Sequence, residues 1–170
     1  WVPQQSESGL YVQSAPSSGL AGFLYRIQSG ELVRVIGDII GLDTLVSPSG
    51  RYVLYSSGRQ GALTLSTLDT QTGEVSSAPL KTIASKCVFL SEDPLLVFCG
   101  VPETLPQGAY PNDWYLGRVH FEDTLWLLEP TRDIATLVGD PSEEVGATID
   151  VWRPTTDALG EYVAFLNKND

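Results

Sequence analysis

Short apolar runs broken by turn residues succeed one another along the whole chain, and nowhere does the spacing of an amphipathic helix compete with them. The clearest stretch is Leu42-Asp-Thr-Leu-Val-Ser-Pro-Ser-Gly-Arg-Tyr-Val-Leu-Tyr-Ser-Ser57. It predicts a strand entering the turn Ser47 to Gly50, where Pro48 fixes φ and Gly50 accepts a positive φ. A second strand, Tyr52 to Ser56, leaves that turn. Leu63 to Leu68 predicts a third, and a fourth begins at Val75 after the turn Gln71 to Glu74. Together they form an antiparallel meander.

The unit recurs. Lys86 to Leu90 and Leu95 to Cys99 repeat the first two strands across the turn Ser91 to Pro94, and Leu125 to Leu128 and Ile134 to Val138 repeat the last two. Asp43 to Lys86, Tyr52 to Leu95 and Leu32 to Val75 are each 43 residues. Val75 to Ile134 is 59, one period plus an insertion of about 16 between the second and third strands. A further copy starts at Ile149-Asp-Val-Trp-Arg153, turns at Asp157 to Gly160 and gives Tyr162 to Leu166. Near the beginning, Leu10 to Gln13, Phe23 to Ile27 and Leu32 to Ile36 read as the second, third and fourth strands of another unit. The expected total is 13 strands, fewer than a ring of four blades needs.

Four strands per unit at a period of about 40–45 is the pattern of a β-propeller. The expected fold is therefore all-β, a β-propeller of four-stranded antiparallel blades forming an incomplete ring of about three blades plus extra strands. Residues 1–170 form one segment: a partial blade over 1–37, a blade over 38–81, a blade with the insertion over 82–140, and a partial blade over 141–170. Such a chain is expected to be a piece or subunit of a larger propeller. Made alone, it should oligomerise or fold poorly, because an open strand edge invites pairing.

The stretch Ser47-Pro-Ser-Gly-Arg-Tyr-Val-Leu-Tyr-Ser-Ser57 resembles the SPDGKYIAFSS-like core of TolB-type (WD40-like) propeller repeats, and Glu161 to Asn167 resembles it more loosely. Ser49 stands where that core has Asp, and Ser91-Glu-Asp-Pro94 departs from it in the next unit. The resemblance implies a disc of blades whose loop faces bind proteins or small ligands. It implies no single activity.

Charge narrows the partners. The formal net charge is −11, from 21 acidic and 10 basic side chains, with no basic run. Nucleic-acid binding needs a basic footprint, so neither a nucleic acid nor an anionic membrane surface is expected as a partner. No apolar run reaches the length of a membrane span. The chain opens on Trp1 without a signal-peptide pattern, which reads as a processed or excised product or as part of something longer, with room for a signal or anchor upstream.

Candidate chemistry concentrates in the insertion, Val101 to Glu122, which carries Tyr110, Asp113, Trp114, Tyr115, Arg118 and His120. Trp, Tyr and Arg are favoured anchors of binding surfaces. In a meander this loop shares a face with Arg59, Gln60 and the connections around Asp38, Pro79 and Pro141. Two readings stand side by side: a binding loop, or a structural flap whose aromatics pack on the sheets beneath. His120 is the single histidine, and no Gly-x-Ser-x-Gly elbow accompanies it. Two cysteines and one histidine make a poor zinc set. Asp140, Glu143 and Glu144 lack calcium-loop spacing and read as a solvated linker. Neither phosphate-cradling glycines nor the Asp box of sialidase propellers occur, so no catalytic residue, metal or cofactor is expected.

Cys87 and Cys99 flank the turn Ser91 to Pro94 at nearly equal distance, which sets them opposite one another on a hairpin. Opposed strand residues lie within disulfide reach. A bridge is expected, with a pair of reduced, buried thiols as the alternative. The bridged form implies an extracytoplasmic location, at a cell surface, in a periplasm or secreted. The function expected is a non-catalytic protein- or ligand-binding or assembly module, contacting partners through loops of one face or itself through open blade edges. The alternative is the propeller portion of a hydrolase, serving as gate or substrate platform.

Overall fold

The structure is a computed structural model that describes residues 1–59 and 61–169. It is all-β, with three four-stranded antiparallel meanders and a hairpin. The first sheet holds β1 (Val2–Ser6), β2 (Gly9–Gln13), β3 (Ala21–Gln28) and β4 (Glu31–Ile40). The second holds β5 (Asp43–Val46), β6 (Tyr52–Arg59), β7 (Ala62–Asp69) and β8 (Val75–Ala78). The third holds β9 (Cys87–Glu92), β10 (Leu95–Pro102), β11 (Asp123–Glu129) and β12 (Ile134–Gly139), and β13 (Val151–Thr156) pairs with β14 (Val163–Asn167).

Alternation along the strands explains how the sheets stack, since successive side chains leave a strand on opposite faces. In β6, Val53 joins Tyr11, Leu24, Ile36, Leu42 and Val46 in a seam between the first and second sheets. Its neighbours Tyr52 and Leu54 join Leu65, Phe89, Val97 and Leu128 in a seam between the second and third. Fully burying one such leucine is worth about 1.5–3 kcal/mol. A third cluster, Leu63, Ile83, Tyr110, Trp114 and Phe121, lies under the insertion.

Polar side chains tie each unit to the next, at the edge of its first strand or in the segment just before it. The Gln4 amide donates to Thr44 O (3.0 Å) and accepts from Val46 N (2.9 Å), pairing with β5 as a strand would. Gln13 Oε1 accepts from Thr44 N at 2.7 Å. Asp43 Oδ2 accepts from Ser85 N (2.8 Å), and Asp123 Oδ2 from Val151 N (2.6 Å). These contacts satisfy backbone and side-chain donors that would otherwise be left without partners beside the seams. A groove of about 540 Å³ runs between the first strands of all four units, lined by Gln5, Leu45, Val88 and Thr155 among others.

The structure corrects the strand count. Val2–Ser6 pairs with β2 in full register, so the first unit has four strands, where three were expected, and the described residues hold 14. Gln4 hid the repeat there: it stands where the second unit has Leu45, and its amide bonds to β5 instead of packing. Two short helices also appear in connections, α1 (Asn112–Tyr115) and α2 (Pro141–Val145). Asp140, expected in a solvated linker, caps α2 by accepting from Ser142 N and Glu143 N, with Pro141 at the first helical position. Among the described residues, no helix is long and apolar enough to cross a membrane.

Candidate functional site

The insertion forms a flap over one end of the sheets. Ser18 N, from the β2–β3 connection, donates to Asn112 Oδ1 at 2.8 Å. Ser18, Gly58, Gly61 and residues 107–110 line a cleft of about 490 Å³. A Cβ on Gly58 would fall on the Tyr110 carbonyl, so the flap rests directly on the β6 backbone. Arg59 is exposed beside it; Gln60 lies outside the described residues.

Beneath the flap is a buried ionic cluster. Lys86, the residue just before β9, has no exposed surface. Its Nζ donates to Asp150 Oδ1, to Asp123 Oδ2 (2.6 Å) and to Val151 O (3.1 Å). Trp114 Nε1 donates to both Asp150 oxygens at 2.9 Å, and Phe121 N donates to Asp150 Oδ2. The ammonium lies 4.9 Å from the Trp114 ring centre and 5.0 Å from that of Phe121, within cation–π reach. From the other side Lys168 Nζ donates to Trp114 O. One cluster thus ties together the flap, the third sheet and the hairpin.

The cluster holds two carboxylates against one ammonium. Asp123 Oδ1 is buried without a hydrogen-bond partner among the described residues. Burial pushes the Asp123 carboxyl up to about 6, although Lys86 and Val151 N pull it down. A second acidic group, Asp43, is raised by burial against hydrogen bonds from Ser85, Gln13 and Tyr115. Tyr115 exposes 41% of its surface, yet its hydroxyl is tucked inside, 2.6 Å from Ser85 Oγ and donating to Asp43 Oδ1 at 3.1 Å. Burial, then the Asp43 charge, push that hydroxyl up.

The residues singled out in the insertion therefore divide. Tyr110 and Trp114 are buried, so neither is a contact residue on a free surface: their aromatic rings pack inward on Phe121 and hold the loop down. Asp113 shapes the flap by accepting from Ala109 N (2.7 Å) and pairing with Arg118 (3.2 Å), and these contacts hold its carboxyl below the ordinary range. Tyr115, Arg118 and His120 remain exposed, and Leu116, not singled out from sequence, is 62% exposed between them.

Sequence reasoning missed Lys86, Asp123 and Asp150. A signal existed: Asp43 and Lys86 are one period apart, each at the entry to a first strand, and Asp150 holds the same place before β13. Charges at that position of an apolar repeat mark a buried polar seam. Cys87 and Cys99 stand opposite one another on β9 and β10, Cα to Cα 4.1 Å, joined by a disulfide. Among the described residues no group of three or more His, Cys, Asp or Glu could hold a metal ion. No protein-family model matches the chain, and no curated protein searched is similar to it.

Proposed function

We propose that the chain is a non-catalytic binding module built on β-propeller blades of the TolB type, contacting a protein partner through the exposed crest of the flap. The radial arrangement is supported by the groove that the first strands of all four units share, since propeller blades surround a central channel with one strand each. The observation that carries the binding reading is the division within the flap. Trp114 is locked to Asp150 and covered, and Tyr115 is pinned by its hydroxyl to Asp43, while Leu116, Arg118 and His120 stay exposed on the loop they anchor. A contact surface ordered in advance loses less entropy on binding than a mobile loop. The Cys87–Cys99 bridge supports a place outside the cytoplasm, because disulfides persist in oxidising compartments.

Site-specific photo-crosslinking tests the reading. A photoreactive side chain replacing Leu116 should capture a discrete protein from the native extract, and one replacing Thr72, in the turn before β8, should not. Equal labelling from both positions, or none from Leu116, would refute a partner on the flap.

A further inference from the structure

Lys86 is a fully enclosed amine that the binding reading does not use. Its Nζ touches two buried carboxylates whose surroundings differ. Asp150 is the polarised one. Its Oδ2 accepts from Trp114 Nε1 (2.9 Å) and from Phe121 N (3.2 Å), and its Oδ1 accepts from Lys86 Nζ and from Trp114 Nε1 (2.9 Å). Asp123 is held through one oxygen only. Its Oδ2 accepts from Lys86 Nζ (2.6 Å) and Val151 N (2.6 Å), and its Oδ1 is buried with no partner among the described residues. The rings of Trp114 and Phe121 lie over the amine at 4.9 and 5.0 Å. An amine, a carboxyl with donors aimed at one oxygen, and a second carboxyl in reach of the amine are the parts needed to make an amide.

We propose that Lys86 and Asp150 join in an intramolecular amide, with Asp123 as the group that carries the proton between them. The ammonium first passes one proton to Asp150 Oδ1, leaving a neutral amine and a neutral carboxyl. Loss of both charges is favoured where no water solvates them. Nζ then adds to Asp150 Cγ. Trp114 Nε1 and Phe121 N face Oδ2, the oxygen on which negative charge develops. Asp123 takes a proton from Nζ and returns it to Oδ1, the Cγ–Oδ1 bond breaks, and one water leaves. Ammonium and carboxylate thus become amide and water without an oxidant or a further reactant, and Asp123 ends as it began. Burial pushes the Asp123 carboxyl up to about 6, which suits a group that must both accept and release a proton near neutrality. A void of about 10 Å³ beside Asp123 and Ile149 is about the size of the water that must leave. Groups held in contact react far faster than free ones, so folding itself sets up the step. The bond ties the residue before β9 to the residue before β13, fastening the hairpin to the third sheet next to the Cys87–Cys99 bridge. It is independent of what the flap contacts, and Asp123 keeps its titrating carboxyl in the linked chain.

Intact-mass spectrometry of the full chain tests the proposal, beside the variants Lys86→Arg and Asp123→Asn, with the fold of each checked by far-UV circular dichroism. Wild type should be one water lighter than its disulfide-bonded sequence. After reduction and trypsin it should stay uncut at Lys86, and fragmentation should find the segment carrying Lys86 joined to the one carrying Asp150. Lys86→Arg keeps the charge but cannot form the bond. Asp123→Asn keeps both ends but lacks the proton carrier. Each variant should show the full mass of its own sequence. Wild type at full mass overturns the proposal, and so does a water lost without a joined peptide, the mark of an aspartate cyclised on its own backbone. A link to Asp123 in place of Asp150, or a linked Asp123→Asn, overturns the roles given to the two carboxylates. Should a variant fail to fold, the wild-type mass and the joined peptide still decide.

Discussion

At Gly58 and at Gly100 the packing leaves no room for a side chain. A Cβ on Gly58 meets the Tyr110 carbonyl, and one on Gly100 comes within 2.5 Å of Val151. Neither neighbour is the free end of a flexible chain, so something must shift. Gly58→Ala should destabilise by about 1–3 kcal/mol, the usual range for overpacking. It should also lift the flap: proteolysis within residues 103–109 should speed up more than elsewhere, as read by mass mapping of early fragments. The cysteines are the other residue-scale test. Their loop closes over a separation of 12, so losing the bridge in the double Cys→Ser variant should cost less than the roughly 3 kcal/mol of a 15-residue loop. Mass spectrometry of non-reduced protein should find no alkylated thiol, and two free thiols would remove the bridge and the inferred compartment together. Their opposition was legible because a hairpin fixes register symmetrically about its turn. The fate of Trp114 was not. Indole suits an interface and a buried seam equally, and what decided between them is Asp150, 36 residues away.

At the scale of elements, the period located strands well because each apolar run coincides with a strand between turn residues. It failed where polar side chains do the pairing, as with Gln4 on β5, and where connections make single helical turns too short for periodicity to register. The Lys86 cluster is the element-scale junction, and its charge imbalance gives a pH dependence. The Asp123 carboxyl is raised from 3.8 to about 6. Between these values the folded chain keeps a proton that the unfolded chain has released, so stability falls as pH rises through that window and levels off above it. At neutral pH this penalty is on the order of 3 kcal/mol. Asp123→Asn leaves Lys86 balanced by Asp150 and retains an acceptor for Val151 N. Its stability relative to wild type should therefore rise between pH 4 and 7, measured as the difference in urea midpoints. A difference independent of pH would show that Asp123 is ionised throughout. Lys86→Met does the opposite, removing the one ammonium that both buried carboxylates contact, and should cost about 3–5 kcal/mol.

Over the whole molecule, the apolar seams join sheets that are neighbours in sequence, and the flap alone reaches further, from the third unit to Ser18 of the first, so stability should vary along the stack as it does in repeat proteins. The second sheet is packed on both faces, with Val53 and Leu54 of β6 both fully buried in different seams. The hairpin is held by the Lys86 cluster and by Val151, but its outward side chains Tyr162 and Leu166 face solvent. Outer strands such as β8 and β12 bond to one neighbour only, and Val75, Leu137 and Val138 are exposed on them. Opening from the native state requires less free energy where few apolar contacts break. Amide exchange should therefore be slowest in β6, faster in β8 and β12, and fastest in β14, the protection falling away from the second sheet towards the hairpin. Exchange as slow in β14 as in β6 would contradict a stability set by nearest-neighbour seams.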